Sequence, residues 1–160
     1  MWQWLGGGAI LAVSFYLSVS VSRMEGRRVR QTEGFFLLLC RIRAEIAAYR
    51  TPLDRILLLF ENPALGECGF LAAARSEGFA GAMDLCRDRL LLDEEELRLL
   101  DAFGDRIGRG DCVEEVRLCD YTARELEKTM LRQKEEAPRR VRAARALAVT
   151  GGLMLLLFLL

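Results

Sequence analysis

The chain has 160 residues, enough for one compact domain with membrane anchors beside it. Its 23 basic and 23 acidic residues cancel, so it lacks the basic excess that a nucleic-acid partner usually demands. It contains no histidine, which excludes histidine-ligated metal sites and histidine-based catalytic triads.

The charge is segregated. The first charged residue is Arg23 and the last is Arg145, so both ends of the chain are apolar. The stretch Trp4 to Ser22 carries no charge, and its nineteen residues would span about 28 Å as a helix, close to a bilayer's hydrocarbon thickness. Trp2 and Trp4 suit an interfacial anchor at its outer end. Ser14, Ser18 and Ser22 recur every four residues, which fits either packing against another span or back-bonding to the helix itself. A cleaved signal peptide is the competing reading, but it needs a positive leading region, and Met1 to Leu5 has no basic side chain.

The apolar period after Ser22 is helical throughout. Phe35, Leu38, Leu39, Ile42, Ile46 and Tyr49 fall on one helical face, in a helix that continues from the first span, with Gly26 and Gly34 as expected bends. Thr51-Pro52 signals a new helix, with Thr51 as cap and Pro52 at its first position. Leu53, Ile56, Leu57 and Phe60 would face inward, and Asn62-Pro63 would end that helix. A helix from about Ala64 to Ser76 buries Leu65, Phe70 and Leu71. Gly78 breaks the chain, and a short helix follows with Met83, Leu85 and Cys86.

Asp93 with Glu96 three residues later makes a capping box for a helix whose inner face is Leu97, Leu100, Phe103 and Ile107. Glu94, Glu95 and Glu96 suit the positive end of that helix dipole. Gly108 and Gly110 end it. Asp111 with Glu114 repeats the box and opens a long helix with a heptad-like seam of Cys112, Val116, Cys119, Ala123, Leu126 and Met130. Pro138 is expected to kink or break it. The segment Ala146 to Leu160 is again free of charge. It is about 22 Å long as a helix and reaches further if extended back to Ala143 with Arg145 snorkelling to the headgroups.

Orientation follows from arginine. Arg23, Arg27, Arg28 and Arg30 come after the first span, and Arg139, Arg140, Arg142 and Arg145 come before the second. The positive-inside rule then puts both termini outside and the middle in the cytosol. These clusters serve as a topology signal. They could also hold anionic lipid, at about 1 kcal/mol per residue. The expected organisation is all-α: a membrane helix over residues 1–22, a cytosolic helical bundle over 23–142, and a membrane helix over 143–160.

No chemistry-bearing constellation stands out. The five cysteines, Cys40, Cys68, Cys86, Cys112 and Cys119, form no C-x-x-C pair and read as small core residues, with zinc or a catalytic thiolate as the lesser alternatives. The acidic run Asp93 to Glu96 points in different directions around a helix and does not converge on a cation. Arg109-Gly110-Asp111 reads as a turn and cap. Asp101 and Asp105 share a helix face and read as solvated. There is no P-loop, dinucleotide fingerprint or nucleophile elbow, so neither an enzyme nor a cofactor is expected. The region Asp84 to Glu127 is acidic between basic flanks, which suits a scaffold meeting lipid at one end and a protein at the other.

The order of these features resembles the stage III sporulation protein AB family of endospore-forming bacteria. The points of likeness are the N-terminal span, Glu45-Ile46 followed by Thr51-Pro52-Leu53, and the leucine-rich helix ending Phe103-Gly104 and Ile107-Gly108. Asp111 opening a long helix and the apolar end containing Gly151-Gly152 complete the pattern. The stretch from Gly110 to Glu115 departs from the family's Ser-Asp helix start. The resemblance implies a bundle similar to the cytoplasmic domain of type II secretion F proteins. It also implies a non-catalytic platform subunit of a secretion-like channel between mother cell and forespore, in the mother-cell membrane. The partners it implies are a secretion-type ATPase, stage III sporulation protein AA, and other membrane subunits. Thr51, Pro52, Gly104, Gly108 and Asp111 are the candidate contact residues. A membrane-tethered regulator that binds a soluble signalling protein is the alternative reading.

Overall fold

Two helices of 48 residues each, α1 (Trp2–Tyr49) and α6 (Cys112–Leu159), bracket four shorter ones in the computed structural model. The shorter helices are α2 (Leu53–Leu59), α3 (Pro63–Glu67), α4 (Phe70–Cys86) and α5 (Glu94–Arg106), with a 3-10 turn at Arg87–Arg89 after α4. The structure describes the backbone of residues 2–159. It describes the side chains of residue 20, residues 23–136, and residues 138, 139, 142, 143, 146 and 150. The described residues are all-helical apart from turns. By its contacts the chain divides into two units, one of Met1–Gly26 with Gln133–Leu160, the other of Arg27–Arg132.

The two expected membrane segments fall almost wholly on residues whose side chains lie outside the described set. Among the described residues no helix is long and apolar enough to cross a membrane. Pro138 neither breaks nor ends the last helix, since α6 runs through it.

The unit Arg27–Arg132 is a helical bundle with one apolar core. Phe35, Leu38, Leu39, Ile42 and Ile46 of α1 are buried, as are Cys119, Ala123, Leu126 and Met130 of α6. The two helices share that core, as the matched periodicities predict. Arg43 pairs with Asp120 across them, and Cys112 Sγ donates to the Ile46 carbonyl at 3.5 Å. Tyr49, expected on the inner face, is the last residue of α1 and is 78% exposed.

Four phenylalanines tie α1, α4 and α5 together. Phe35 meets Phe70 edge-on at 4.8 Å between centroids, Phe70 meets Phe79 at 5.3 Å, and Phe79 meets Phe103 at 5.1 Å. Such edge-to-face pairs add about 0.5–1.5 kcal/mol each beyond burial.

The single helix expected from Ala64 to Ser76 is two helices. Gly69, at φ 84°, turns the chain between α3 and α4. Asn62 caps α3 by accepting from the Leu65 N–H at 3.2 Å, with Pro63 behind it at the first helical position. Gly78 interrupts α4 as expected, at φ 75° and ψ −178°. Beyond it Phe79, Ala82, Met83 and Cys86 point inward at helical spacing, which leaves Leu85 off that face and exposed. Helix α1 is continuous in sequence through Gly26 and Gly34. At Gly34 a Cβ would lie 2.9 Å from Asn62 Oδ1 and 3.0 Å from Leu65 Cγ, so the glycine lets α3 dock against α1.

The Asp93 capping box forms as predicted. The Asp93 N–H donates to Glu96 Oε2 at 2.8 Å, and the Asp93 side chain accepts from the Glu96 backbone. Glu96, expected as the box partner of Asp93 at the positive end of the helix dipole, is in addition buried at 1% exposure and accepts from Thr32 Oγ1 at 2.9 Å. Asp101 is not a free solvated carboxylate: it accepts from Arg87 Nη1 at 2.9 Å.

Candidate functional site

The end of α1, the start of α2 and the turn before α6 enclose a cleft of about 630 Å³. Its apolar lining is Ile46, Leu53, Ile107 and the ring of Pro52, and Arg50, Asp54 and Glu115 bring charge to it. Thr51, Gly108 and Cys112 complete it. Two turns that are more than fifty residues apart in sequence therefore meet here.

Each wall has a local cause. α1 is closed off by the next residue, Arg50, which donates its N–H to the Ile46 carbonyl at 3.1 Å and takes the left-handed conformation at φ 51°. That closing geometry usually falls to glycine, so an arginine there carries strain. Thr51 was expected to cap α2. Instead its hydroxyl donates back to Glu45 Oε2 at 3.2 Å, and Glu45 is also held by Arg41 at 2.7 Å. Pro52 takes the cap position, and its carbonyl accepts from the N–H groups of Arg55 and Ile56. On the opposite wall Gly108 sits at φ 83° with open space where a Cβ would go, so backbone conformation, not crowding, selects glycine. Asp111 Oδ1 accepts from the Glu114 N–H at 2.8 Å, and its carbonyl accepts from the Glu115 N–H at 2.9 Å. It starts α6 and so sets Cys112 and Glu115 into the cleft.

Of the five residues singled out from sequence, Thr51, Pro52 and Gly108 line the cleft and Asp111 frames it. Gly104 does not belong to it. A Cβ there would lie 3.0 Å from Phe79 Cδ1 and 3.3 Å from Ala80 Cα, so Gly104 serves α4–α5 packing. Sequence reasoning missed Arg50, Asp54, Ile107 and Glu115. The one signal available was position: each flanks a turn already marked by Thr51-Pro52 or Gly108.

The sequence model described as Stage III sporulation protein AB matches residues 3–160. The chain belongs to that family. Its role is accordingly in sporulation. Searches of curated proteins and of solved structures gave no match.

The arginines of this stage III sporulation protein AB family member do not behave as one class. Arg23, Arg27, Arg30, Arg139 and Arg142 are exposed. The side chains of Arg140 and Arg145 lie outside the described residues. Arg28, counted from sequence with the membrane-flanking set, is half-buried and paired with Asp93 at the α5 cap. Its Nε is buried without a hydrogen bond.

The thiols have the character of core residues. Burial pushes the Cys40 and Cys68 thiols above their usual value, and it pushes Cys119 up to about 12, with Glu115 and Asp120 adding to the effect. These three are therefore protonated at neutral pH, where a thiolate nucleophile or metal ligand would have to be ionised. Among the described residues no cluster of cysteine and carboxylate side chains could hold a metal ion.

Proposed function

We propose that this chain is a non-catalytic platform subunit of a secretion-like channel between mother cell and forespore. In this reading Trp4–Ser22 and Ala146–Leu160 lie in the mother-cell membrane, the bundle sits in the cytosol, and both termini lie outside. The cleft between Thr51-Pro52 and Gly108 takes a protein partner, the secretion-type ATPase known as stage III sporulation protein AA. The observation that carries it is the cleft itself: an apolar floor with charged side chains at its edge, in a family member whose role is in sporulation. The charge-free ends and their arginine flanks support the membrane placement.

Capture of the ATPase by the full-length chain from membrane extracts tests the partner. Reversing the charges with Asp54→Arg and Glu115→Arg should reduce capture about tenfold or more, as expected for charges at an interface. Asp88→Arg, on the 3-10 turn and outside the cleft, should leave it unchanged. Equal capture by all variants would remove the cleft from the reading. A membrane-impermeant maleimide tests the topology: Cys112, part-buried at the cleft and between the proposed spans, should label only after lysis, and the buried Cys68, Cys86 and Cys119 only after denaturation as well.

A further inference from the structure

A second cleft lies elsewhere in the same bundle, where α1 passes α3 and the segment after the 3-10 turn. It has a volume of about 270 Å³, and Arg27, Arg30 and Arg89 all line it. Among the described residues none of the three makes an ion pair, although Glu67 lines the same cleft. This differs from the chain's usual habit, since Arg28, Arg41, Arg43, Arg87 and Arg132 each hold a carboxylate. Three unneutralised guanidinium groups around one small concavity repel each other, and a bound anion relieves that repulsion.

The cleft has more than charge. Gln31, nearly buried, lines it and accepts the Leu91 N–H through Oε1 at 2.7 Å. That bond fixes the amide so that its NH₂ remains a donor without a partner among the described residues. Arg89 is settled beside Gly69, whose Cβ, if present, would be 3.4 Å from Arg89 Nη1. Planar guanidinium donors plus a fixed amide donor match the oxygens of a phosphate group better than those of any neutral ligand.

We infer that the cleft of Arg27, Arg30, Gln31 and Arg89 is a phosphate-binding site, filled by a phosphate monoester or by the phosphodiester of an anionic lipid headgroup. Arg27 and Arg30 follow the first charge-free stretch closely in sequence, which makes a headgroup one natural source and a free phosphate the other. The site rests on the geometry of the Arg27–Arg132 bundle and not on the channel reading.

The test is calorimetric titration of the full chain in a neutral detergent. The probes are inorganic phosphate, dihexanoyl-phosphatidylglycerol and dihexanoyl-phosphatidylcholine. The anionic probes should bind. The double variant Arg30→Gln with Arg89→Gln should weaken them about tenfold or more, the loss expected for charge-assisted hydrogen bonds. Glu67→Gln, which removes the cleft's acidic side chain, should tighten them, an effect that misfolding cannot imitate. Binding of phosphatidylglycerol alone identifies a lipid headgroup as the source, and binding of phosphate alone identifies a free anion; either supports the site. No anionic binding, equal binding of phosphatidylcholine, or affinities indifferent to all three substitutions would overturn it. A chain that binds phosphate yet fails to partition with membranes would break the channel reading and leave this site standing.

Discussion

The bundle uses one capping motif twice, with different results. Asp93 and Glu96 open α5, and Asp111 and Glu114 open α6, with the same spacing and the same residue types. At α5 the motif is drawn into the core: Glu96 is buried, holds the Asp93 N–H and the Thr32 hydroxyl, and Asp93 is paired with Arg28. At α6 it stays at the surface, where Asp111 accepts the Glu114 N–H from an exposed position. A sequence motif thus fixes where a helix starts, and the neighbouring helix decides what that start is worth. α1 passes over the first box with Arg28 and Thr32 and turns it into a tertiary joint. At α6, among the described residues, only the Asp111 half of the box forms, a local cap beside the open cleft.

Four substitutions measure that contrast by chemical denaturation of the full chain. Glu96→Ala has the largest expected effect, about 2–4 kcal/mol, because it removes the buried carboxylate that accepts from both the Asp93 N–H and the Thr32 hydroxyl and leaves a cavity in its place. Thr32→Val should cost much less in the Glu96→Ala background than alone, since both report one interaction. Asp93→Ala comes next, at about 1–2 kcal/mol, from loss of a helix cap together with a half-buried ion pair. Asp111→Ala is the smallest, about 0.5–1 kcal/mol, the ordinary cost of an exposed cap. If Asp111→Ala proved as costly as Glu96→Ala, the two boxes would be equivalent and the contrast would fall.

Much of this was legible in the sequence because it is local. Both helix starts, the inner face of α5 and the seam of α6 follow from spacing and cap chemistry alone. The misses share a cause, which is that another part of the chain decides the outcome. Nothing near Glu96 marks it as buried; Thr32, sixty-four residues earlier, makes it so. Leu85 was grouped with Met83 and Cys86 on the short helix after Gly78, but the face that packs inward there is Phe79, Ala82, Met83 and Cys86, which leaves Leu85 exposed. Gly34 looked like a bend and is a point of contact, and Gly104 looked like part of a binding turn and is packing for Phe79. The split at Gly69 had a weak local sign in the paired glycines 66 and 69, which a helix interior rarely carries. For the cleft, sequence supplied both turns but not their meeting, because chain closure over more than fifty residues leaves no trace in local pattern.

Asn62 Oδ1 is both the acceptor that starts α3 and the atom nearest to the missing side chain of Gly34. One oxygen therefore belongs to two levels of organisation, the beginning of a five-residue helix and its seat on a neighbour. A methyl group at position 34 could not displace α3 without also disturbing its first hydrogen bond. Secondary structure and docking would give way there together, and glycine at 34 protects a helix in which it takes no part.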